Sequence, residues 1–521
     1  MNRFSSQGKD HKWGVLVVII IGSFMAILDN NIVNVALPYM MATFGATVDQ
    51  IEWVVTGYMI AFAISMTVTG WLREVFGLKK VFIANMVLFG FGSALCGMAW
   101  DKDSLIIFRI IQALGGGALL PIGFTLVSET FPPQERGLAM GIWSIGAMVA
   151  PAIGPSLGGY LVDEVSWRSI FYINLPVGVV ATLAALLILP SNRVLGPAPK
   201  FDLIGFISFS MFLAFLLIAL AQGQREGWNS DYIISCFSFS LLGLAVFVPS
   251  AFLVKDPLID VRIFSNQNFL MCSIVNFVRS TAIFGSMFLL PLFLQNLLDY
   301  KALRTGIILA PTAVSVAVVS PFSGFISDRI GPRIPIFLGI VLMTLSLYLY
   351  KDLSLNSDYW FLFWPQVMRG AGLGLINAPL MSAALNSIRE EQTATASSLL
   401  TVTIQVGGAF GITLLGAVLQ RREFFHYAHY LQQINNAFSP SVHRAQLAMQ
   451  DLLFKSGQAP AEALVKGKTL LALWVQRQAA VGAFDDAFVF AALLTAIGII
   501  PALLIRNTCF LGNIKTVIPS E

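Results

Sequence analysis

The sequence predicts an all-α protein that crosses a membrane many times. Hydrophobic residues make up 56% of its 521 residues, and charged residues make up only 12%, against roughly 25% in a soluble domain. The mean hydropathy is +0.77, and long apolar runs recur along the chain. These observations exclude a soluble globule and a disordered scaffold. The net charge of +4 is too small to indicate a nucleic-acid partner.

Fourteen apolar runs are candidates for spanning helices, each of which needs roughly 20 apolar residues. In chain order, the predicted spans are 13–37, 51–72, 79–100, 104–127, 137–160, 168–190, 203–223, 232–254, 268–294, 303–325, 333–350, 359–386, 393–419 and 485–506. One long polar loop, 420–484, precedes the last span. We interpret this loop either as a solvated helical hairpin or as a docking surface for an extracytoplasmic partner.

An internal repeat divides the spans into two groups of six. Similar segments follow the second and the tenth span. Their matched residues, each pair 254 residues apart, are Gly70 and Gly324, Glu74 and Asp328, Gly77 and Gly331, and Lys79 and Arg333. The predicted domains are therefore a six-helix bundle at 1–190, a linker with two extra helices at 191–266, and a six-helix bundle at 267–521. Such repeated halves are typical of transporters that rock around a site at the membrane midplane.

The distribution of basic residues predicts the orientation of the chain. An even number of spans places both termini on one side of the membrane. The short loops on that side hold most of the Lys and Arg residues, and cytoplasmic loops carry such an excess. The loop at 420–484 is left out of this comparison, because the excess of Lys and Arg on the cytoplasmic side holds only for short loops. Both termini are predicted to be cytoplasmic.

Several segments carry motifs of one transporter family. They are 28–38, 70–80, 105–115, 150–159 and 167–176. Together these segments resemble the motifs of the major facilitator superfamily, and in particular those of its fourteen-span drug:proton antiporters, which include the EmrB-type multidrug exporters. Glu74 stands where this family usually has Asp, and Ala113 stands where it usually has Gly.

The resemblance implies the superfamily fold, with two six-helix bundles and two extra central helices, and no cofactor. It implies a proton-coupled antiporter that exports hydrophobic or cationic drugs across the bacterial inner membrane, with protons, a drug-like molecule and membrane lipids as partners. A periplasmic adaptor and an outer-membrane channel are further candidate partners, because EmrB-type exporters often work with them. The alternative is a superfamily member that carries a single metabolite, siderophore or lipid-like solute.

Asp29 is the carboxylate that lies deep within an apolar run. It precedes the outer end of the first span by about 13 Å, at 1.5 Å per residue. Arg109 lies at a similar depth in the fourth span, so the two side chains can reach each other. A bare carboxylate at this depth is costly, so Asp29 is expected to be protonated or paired with a cation. The pair either only joins two helices or serves as a proton-coupling site.

Other polar side chains in the spans are candidate substrate contacts, because apolar walls with a few polar groups suit amphipathic ligands. They are Asn34, Tyr58, Gln112, Asn276, Arg279, Gln366, Arg369, Asn377 and Gln405. No intramembrane acid in the second half can pair with Arg279. Its partner is then an anionic substrate group, Asp29 across the cavity, or carbonyls and water. In the repeat, Arg369 takes the position of Gln112, and Gln366 takes that of Arg109.

Candidate gating residues lie at two places. The first is the pair of repeated segments, with Gly70, Glu74, Gly77, Lys79, Gly324, Asp328, Arg329, Gly331 and Arg333. They are either ordinary cytoplasmic anchors or, as the resemblance implies, a gate whose acids accept helix-terminal N–H groups. The second is the fifth span, with Pro151, Gly154, Pro155, Gly158 and Gly159. This span either packs as a kinked helix or bends during transport.

An enzyme, a metal site and a nucleotide site are not expected. All four histidines lie outside the predicted spans, and the cysteines lack metal-ligand spacing. A polytopic membrane enzyme would need catalytic side chains within the spans, and no catalytic dyad is found there.

Overall fold

The structure is a computed structural model that describes residues 9–132, 135–190, 200–254, 257–389, 392–435 and 460–506. Every regular element in this part of the chain is a helix. An apolar chain forms helices in lipid, because a helix satisfies its backbone N–H and C=O groups internally and lipid offers them no partner. The predicted fold class, an all-α polytopic membrane protein, is confirmed.

The described residues up to 190 form six spanning segments from eight helices. The helices are α1 (Lys9–Phe44), α2 (Val48–Thr67), α3 (Thr69–Phe76), α4 (Leu78–Gly97), α5 (Lys102–Thr130), α6 (Arg136–Glu164), α7 (Ser169–Tyr172) and α8 (Asn174–Ile188). The chain bends by 49° between α2 and α3, which together form one broken span. The short α7 continues into α8 as a single segment.

The two extra helices and the second group of six follow. They are α9 (Leu203–Glu226), α10 (Asp231–Leu253), α11 (Gln267–Asn296), α12 (Ala302–Ile330), α13 (Arg333–Tyr348), α14 (Tyr359–Asn386), α15 (Thr393–Asn435), α16 (Pro460–Ile497) and α17 (Ile499–Leu504). The helices α9 and α10 pack against each other, and α9 also contacts α2 and α15. The extra pair therefore touches both groups of six.

The helices differ in whether their length and hydropathy alone identify them as membrane spans. In the described part of the chain, eleven are long and apolar enough to cross a membrane by themselves, or twelve if the bent α2–α3 pair counts as one. The remaining segments, α6 and α14, are rich in glycine, proline and polar residues. With them the structure contains the fourteen segments that the sequence predicts.

Equivalent helices of the two groups pack in the same pairs. In the first group α1 packs on α6, and α2 and α4 pack on α5; in the second, α11 packs on α15, and α12 and α13 pack on α14. Gly115 of α5 and Gly372 of α14 allow equally close approaches. A Cβ atom on Gly115 would lie 2.7 Å from Asn85 O, and one on Gly372 would lie 2.7 Å from Gly339 O. The described helices of the two groups of six therefore share one pattern of pairwise packing, while the bounds of the two bundles, 1–190 and 267–521, stay a prediction.

The contact between α6 and α12 joins the two groups most closely. A Cβ atom on Gly137 would lie 2.5 Å from Gly324 O, so each helix needs glycine where the backbones meet. The Asp328 carboxylate accepts hydrogen bonds from the N–H groups of Gly137 and Leu138, at 3.1 and 3.2 Å. The predicted orientation makes this the cytoplasmic end of the molecule.

The helices α15 and α16 are the two longest in the described part of the chain. They contain 43 and 38 residues, whereas roughly 20 residues cross the hydrocarbon core. Arg422 Nε and His426 Nε2 both lie 2.6 Å from Asp486 Oδ2, which joins the two helices. Of the predicted loop 420–484, residues 420–435 lie within α15 and residues 460–484 lie within α16, whereas residues 436–459 lie outside the described residues.

Replacement of Gly137 by alanine should loosen the contact between α6 and α12, because the added methyl group would lie 2.5 Å from Gly324 O and from Asp328 Oδ1. Overpacking of this kind costs about 1–3 kcal/mol, so the melting temperature of the purified protein in detergent should fall. Gly159→Ala on the same helix is a matched control, since its Cβ would have no atom within 4 Å. Equal melting temperatures of the two variants would contradict the close contact.

Candidate functional site

The first polar cluster surrounds Asp29 in the interior of the N-terminal bundle. Asp29 is fully buried and Arg109 is 1% exposed. Arg109 Nη1 lies 2.5 Å from Asp29 Oδ2. The two side chains that the depth argument placed within reach therefore form an ion pair between α1 and α5. An ion pair without water around it needs further hydrogen bonds to offset the loss of hydration.

Two amides supply those hydrogen bonds to the Asp29 carboxylate. Gln112 Nε2 donates to Asp29 Oδ1 at 2.9 Å, and Asn174 Nδ2 donates to the same oxygen at 2.8 Å. Both amides also donate to Ser93 Oγ, at 3.1 and 3.0 Å. Each oxygen of Asp29 thus faces a donor, and the carboxylate joins helices α1, α4, α5 and α8 in one network.

Arg109 has partners besides Asp29. Its Nη1 donates to Gln112 Oε1 at 2.7 Å, and its Nε donates to Val54 O at 3.5 Å. The guanidinium carbon lies 3.8 Å from the centre of the Tyr58 ring, a cation–π contact that adds to the stabilisation of the charge. The Tyr58 hydroxyl is buried and makes no hydrogen bond in the described part of the chain.

The structure places two predicted substrate contacts in the Asp29 network. Gln112 and Tyr58, which we expected among the substrate contacts, belong to the Asp29 network. Sequence reasoning did not assign Ser93 or Asn174 to a site. Asn174 lies in the 167–176 motif segment, which is the signal that could have identified it.

The second cluster lies in the C-terminal bundle around Arg279 of α11. Arg279 Nη2 donates to Asn276 Oδ1 at 2.7 Å, and its Nη1 contacts Asn377 Oδ1. Asn276 Nδ2 in turn donates to Leu400 O of α15 at 2.9 Å. Arg279 Nε and the neighbouring Ser280 Oγ are buried without a hydrogen-bond partner in the described residues. The cluster brings together three predicted substrate residues and holds its charge with neutral groups.

The third cluster surrounds Arg369 of α14. Arg369 Nη1 donates to Ser286 Oγ at 3.0 Å, and its Nη2 contacts Gln366 Oε1 and Thr312 Oγ1. Gln366 Nε2 is buried without an acceptor among the described residues. Arg369, at 2% exposure, is thus a second buried cation whose partners are neutral.

The repeat relates the third cluster to the first. The equivalent positions are Tyr58 and Thr312, 254 residues apart, and Arg109 and Gln366, and Gln112 and Arg369, each 257 residues apart. Where Gln112 contacts the Asp29 carboxylate of α1, Arg369 contacts the Ser286 hydroxyl of α11. Ser286 and Thr312 are site residues that the sequence analysis missed, and the repeat is the signal that could have found Thr312.

Two predicted substrate residues lie apart from the three clusters. Asn34 is exposed on α1, and Gln405 is half-buried on α15. Neither makes a hydrogen bond to the clusters in the described ranges.

The predicted gating segments occupy one end of the bundles. Gly77 and Gly331 precede α4 and α13 with φ angles of +80° and +94°, which side chains rarely tolerate. Asp328 binds the first turn of α6 as described above. A Cβ atom on Gly70 would lie 3.0 Å from Thr395 Oγ1 of α15, so this segment also meets the opposite bundle.

The charged residues of these segments have several partners. Arg73 Nη2 lies 2.6 Å from Glu129 Oε1 of α5, and Lys79 Nζ donates to Leu186 O of α8 at 2.6 Å. The Arg329 guanidinium lies 4.2 Å from the centre of the Phe325 ring. Glu74 and Arg333 also take part in polar or electrostatic interactions.

The glycines and prolines of the fifth span all lie within α6. Gly154 and Gly158 face Asn31 and Ile32 of α1: a Cβ on Gly154 would lie 3.2 Å from Asn31 Cβ, and one on Gly158 3.1 Å from Ile32 O. Pro151 is half-buried, and Gly159 faces open space. The side chain of Pro155 lies outside the described residues. Gly154 and Gly158 therefore act here as close-packing positions.

Three buried polar clusters in two repeated six-span bundles point to a membrane transporter, and comparison with known proteins decides the family. Residues 19–412 match the family described as the Major Facilitator Superfamily. The chain belongs to the major facilitator superfamily. This superfamily member is a multi-pass transporter of the bacterial inner membrane and is not an enzyme.

Relatives of this superfamily member include named drug exporters. It is 30% identical to the multidrug transporter protein MdtP of Bacillus subtilis, over 81% of this chain and 78% of that protein. It is also 30% identical to the multidrug export protein EmrB of Haemophilus influenzae, over 80% of this chain and 82% of that protein. The crystal structure of the human organic anion transporter MFSD10 (TETRAN) matches with a TM-score of 0.62 at 13% identity, over 95% of this chain and 100% of that one. This last similarity shows the shared fold.

Asn174→Ala should destabilise this superfamily member, because Asp29 Oδ1 and Ser93 Oγ would each lose a buried donor. Gln112 still donates to both oxygens, so the cost is that of a lost hydrogen bond to a charged group, about 1.5–3 kcal/mol, which a lower melting temperature in detergent would reveal. Asn34→Ala is the matched control, since Asn34 is exposed and surface substitutions usually change stability by less than about 0.5 kcal/mol. Equal stability of both variants would show that Asn174 does not support the network.

Proposed function

We propose that this transporter is a proton-coupled antiporter that exports hydrophobic drug-like molecules across the bacterial inner membrane. The observation that carries the proposal is the fully buried Asp29–Arg109 pair, since a carboxylate at this depth can change its charge only by taking up a proton. The two relatives named as a multidrug transporter and a multidrug export protein support drug-like substrates.

Protonation of Asp29 would weaken the network that surrounds it. The carboxylate accepts hydrogen bonds from Arg109, Gln112 and Asn174. A proton on one oxygen turns that acceptor into a donor and leaves Arg109 without a counter-charge in a site that excludes water. This cost arises only in the conformation with the intact network. Proton binding therefore favours a conformation in which Arg109 has other partners or water.

Exchange of the proton requires the two bundles to move, because Asp29 is inaccessible in the conformation described. Here the bundles are joined at the end that holds Gly137 and Asp328. We take this end as cytoplasmic, in line with the predicted orientation of both termini. The bundles at 1–190 and 267–521 would then rock relative to each other, with the helices of 191–266 beside them. A proton would reach Asp29 from outside and leave it on the cytoplasmic side.

The Asp328 contact is the proposed gate of the cytoplasmic end. Its carboxylate accepts two N–H groups at the N-terminus of α6, where the helix dipole favours a negative charge. Gly70 meets Thr395 near the start of α15, so the first repeated segment also joins the two bundles, at a separate contact. Both contacts must separate before a substrate can enter from the cytoplasm.

A transporter of a single solute is the second candidate function. The Arg279 cluster favours it, because Asn276 and Asn377 fix the direction of the guanidinium group and such fixed polar groups select one ligand geometry. Transport of several chemically unrelated dyes by purified protein would decide for the multidrug exporter. Transport of one compound alone would decide for the single-solute carrier.

The extension formed by α15 and α16 is the proposed docking surface for a periplasmic adaptor. Its helices leave the bundle at the end opposite Asp328, which is the periplasmic end in the predicted orientation. An adaptor would connect the transporter with an outer-membrane channel.

Asp29→Asn should abolish substrate export driven by a pH gradient, because an amide of the same shape cannot take up a proton and release it. The measurement is dye efflux from proteoliposomes with an imposed pH gradient. Asp163→Asn is the matched control, since Asp163 is exposed and accepts a hydrogen bond from the Tyr39 hydroxyl at 2.5 Å. Wild-type efflux by the Asp29 variant, with intact dependence on the gradient, would refute the coupling role.

Asp328→Asn should slow the transport cycle while leaving substrate affinity unchanged. The variant keeps the shape of the side chain but loses the charge that binds two N–H groups. Loss of one hydrogen bond to a charged group corresponds to about a tenfold effect. Stopped-flow efflux would give the rate, and equilibrium binding of the same dye would give the affinity. Asp299→Asn, at an exposed carboxylate near Arg477, is the control and should change neither the rate nor the affinity. A lower affinity in the Asp328 variant would place Asp328 in the binding site instead.

A further inference from the structure

The charges inside the two bundles are not balanced. In the N-terminal bundle the Asp29 carboxylate and the Arg109 guanidinium neutralise each other. In the C-terminal bundle Arg279 and Arg369 are 5% and 2% exposed, and no carboxylate contacts either of them in the described part of the chain. The interior therefore carries two positive charges without a counter-ion, which is costly in a layer of low polarity.

The two uncompensated arginines differ in how well their N–H groups are satisfied. Both terminal nitrogens of Arg369 have oxygen acceptors on Ser286, Gln366 and Thr312. Around Arg279, the Nε group and the hydroxyl of Ser280 are buried without a partner among the described residues. A buried donor without an acceptor is unfavourable, so the Arg279 site lacks an oxygen-rich group as well as a negative charge.

The position of Arg279 suits a transported ligand. It is the thirteenth of the 30 residues of α11, about 18 Å from the start of the helix at 1.5 Å per residue. This depth is near the midplane of a core about 30 Å thick, where transporters built from repeats bind their substrates. The side chain also lies where α11, α14 and α15 meet, through Asn276, Asn377 and Leu400.

In the part of the chain that the structure describes, a cationic ligand finds no comparable site at this level. Asp29 is fully buried, and its two oxygens already accept bonds from Arg109, Gln112 and Asn174. A guanidinium group with a free N–H is instead suited to carboxylate, sulfonate or phosphate oxygens, which it binds with charge-assisted hydrogen bonds.

From this imbalance we infer that the exported compounds are amphipathic organic anions whose charged group binds to Arg279. The inference rests on the proposed export function and names its substrate class. The apolar body of the compound would lie against the apolar walls of the bundles, and its anionic oxygens would accept a hydrogen bond from Arg279 Nε.

Binding to the full-length protein in detergent tests the site directly. The probes are an undecanoate with a dansyl group at its far end and the primary amide of the same molecule, which has the same body without the charge. Wild-type protein should bind the carboxylate about ten- to hundredfold more tightly than the amide, as expected for charge-assisted hydrogen bonds. Arg279→Gln should reduce this preference to about twofold or less, whereas Arg279→Lys should keep part of it because it keeps the charge.

Arg304→Gln is the matched control, since it removes a positive charge of α12 in the same bundle, at an exposed side chain outside the three clusters. It should leave the preference for the carboxylate unchanged. Equal loss in both variants would attribute the preference to the total charge of the bundle and overturn the assignment to Arg279. Wild-type protein that binds the amide as tightly as the carboxylate would overturn the substrate class. A gel-filtration profile like that of the wild type shows that each variant is folded.

Transport in proteoliposomes separates the failure of this inference from the failure of the proposed function. Export of one anion in exchange for one entering proton moves positive charge inward, so a potential that is negative inside should accelerate it. Exchange of one monovalent cation for one proton moves no net charge. Gradient-driven export of ethidium but not of the dansyl carboxylate would overturn the inference and leave the proposed function intact. Selective carboxylate binding without gradient-driven transport of either probe would support the site and overturn the proposed function.

Discussion

Polar groups in the hydrocarbon layer must find their partners within the protein, and the interior of this transporter is organised by that requirement. Asp29 meets it with a guanidinium group and two amides drawn from two other helices, α5 and α8. Because lipid offers no replacement, the network holds these helices together more strictly than apolar packing could. The same requirement makes the network sensitive to a single proton, since no water is at hand to take over a lost hydrogen bond.

The two bundles use equivalent positions for different chemistry. Gln112 of the N-terminal bundle contacts a carboxylate, whereas the equivalent Arg369 of the C-terminal bundle contacts the Ser286 hydroxyl, and the order of Arg and Gln on α5 is reversed on α14. The N-terminal bundle therefore contains a group that can gain and lose charge. The C-terminal bundle contains fixed positive charges with neutral partners. In the proposed function, this divergence of the repeat would separate the group that takes up the proton from the groups that bind a ligand.

The sequence predicts the spans well, because membrane thickness translates directly into the length of an apolar run. It also predicts the Asp29–Arg109 pair, since the rise per residue converts sequence position into depth. It does not predict the surroundings of Gln112, because rotation about the helix axis decides whether a polar side chain faces a cavity or a neighbour. That rotation depends on packing, such as the approach of Gly92, whose added Cβ would lie 2.5 Å from Gln112 Cα. The long lengths of α15 and α16 likewise exceed what their apolar runs indicate, because polar residues continue both helices beyond the lipid.

The extension formed by α15 and α16 has a mechanical consequence. Its helices are continuous with the C-terminal bundle, and α15 measures about 65 Å at 1.5 Å per residue. In the proposed rocking motion, the described ends of these helices, at residues 435 and 460, would therefore sweep a wider arc than the Asp328 end. The extension would then act as a lever arm, and a soluble molecule in contact with it would be displaced once in each transport cycle.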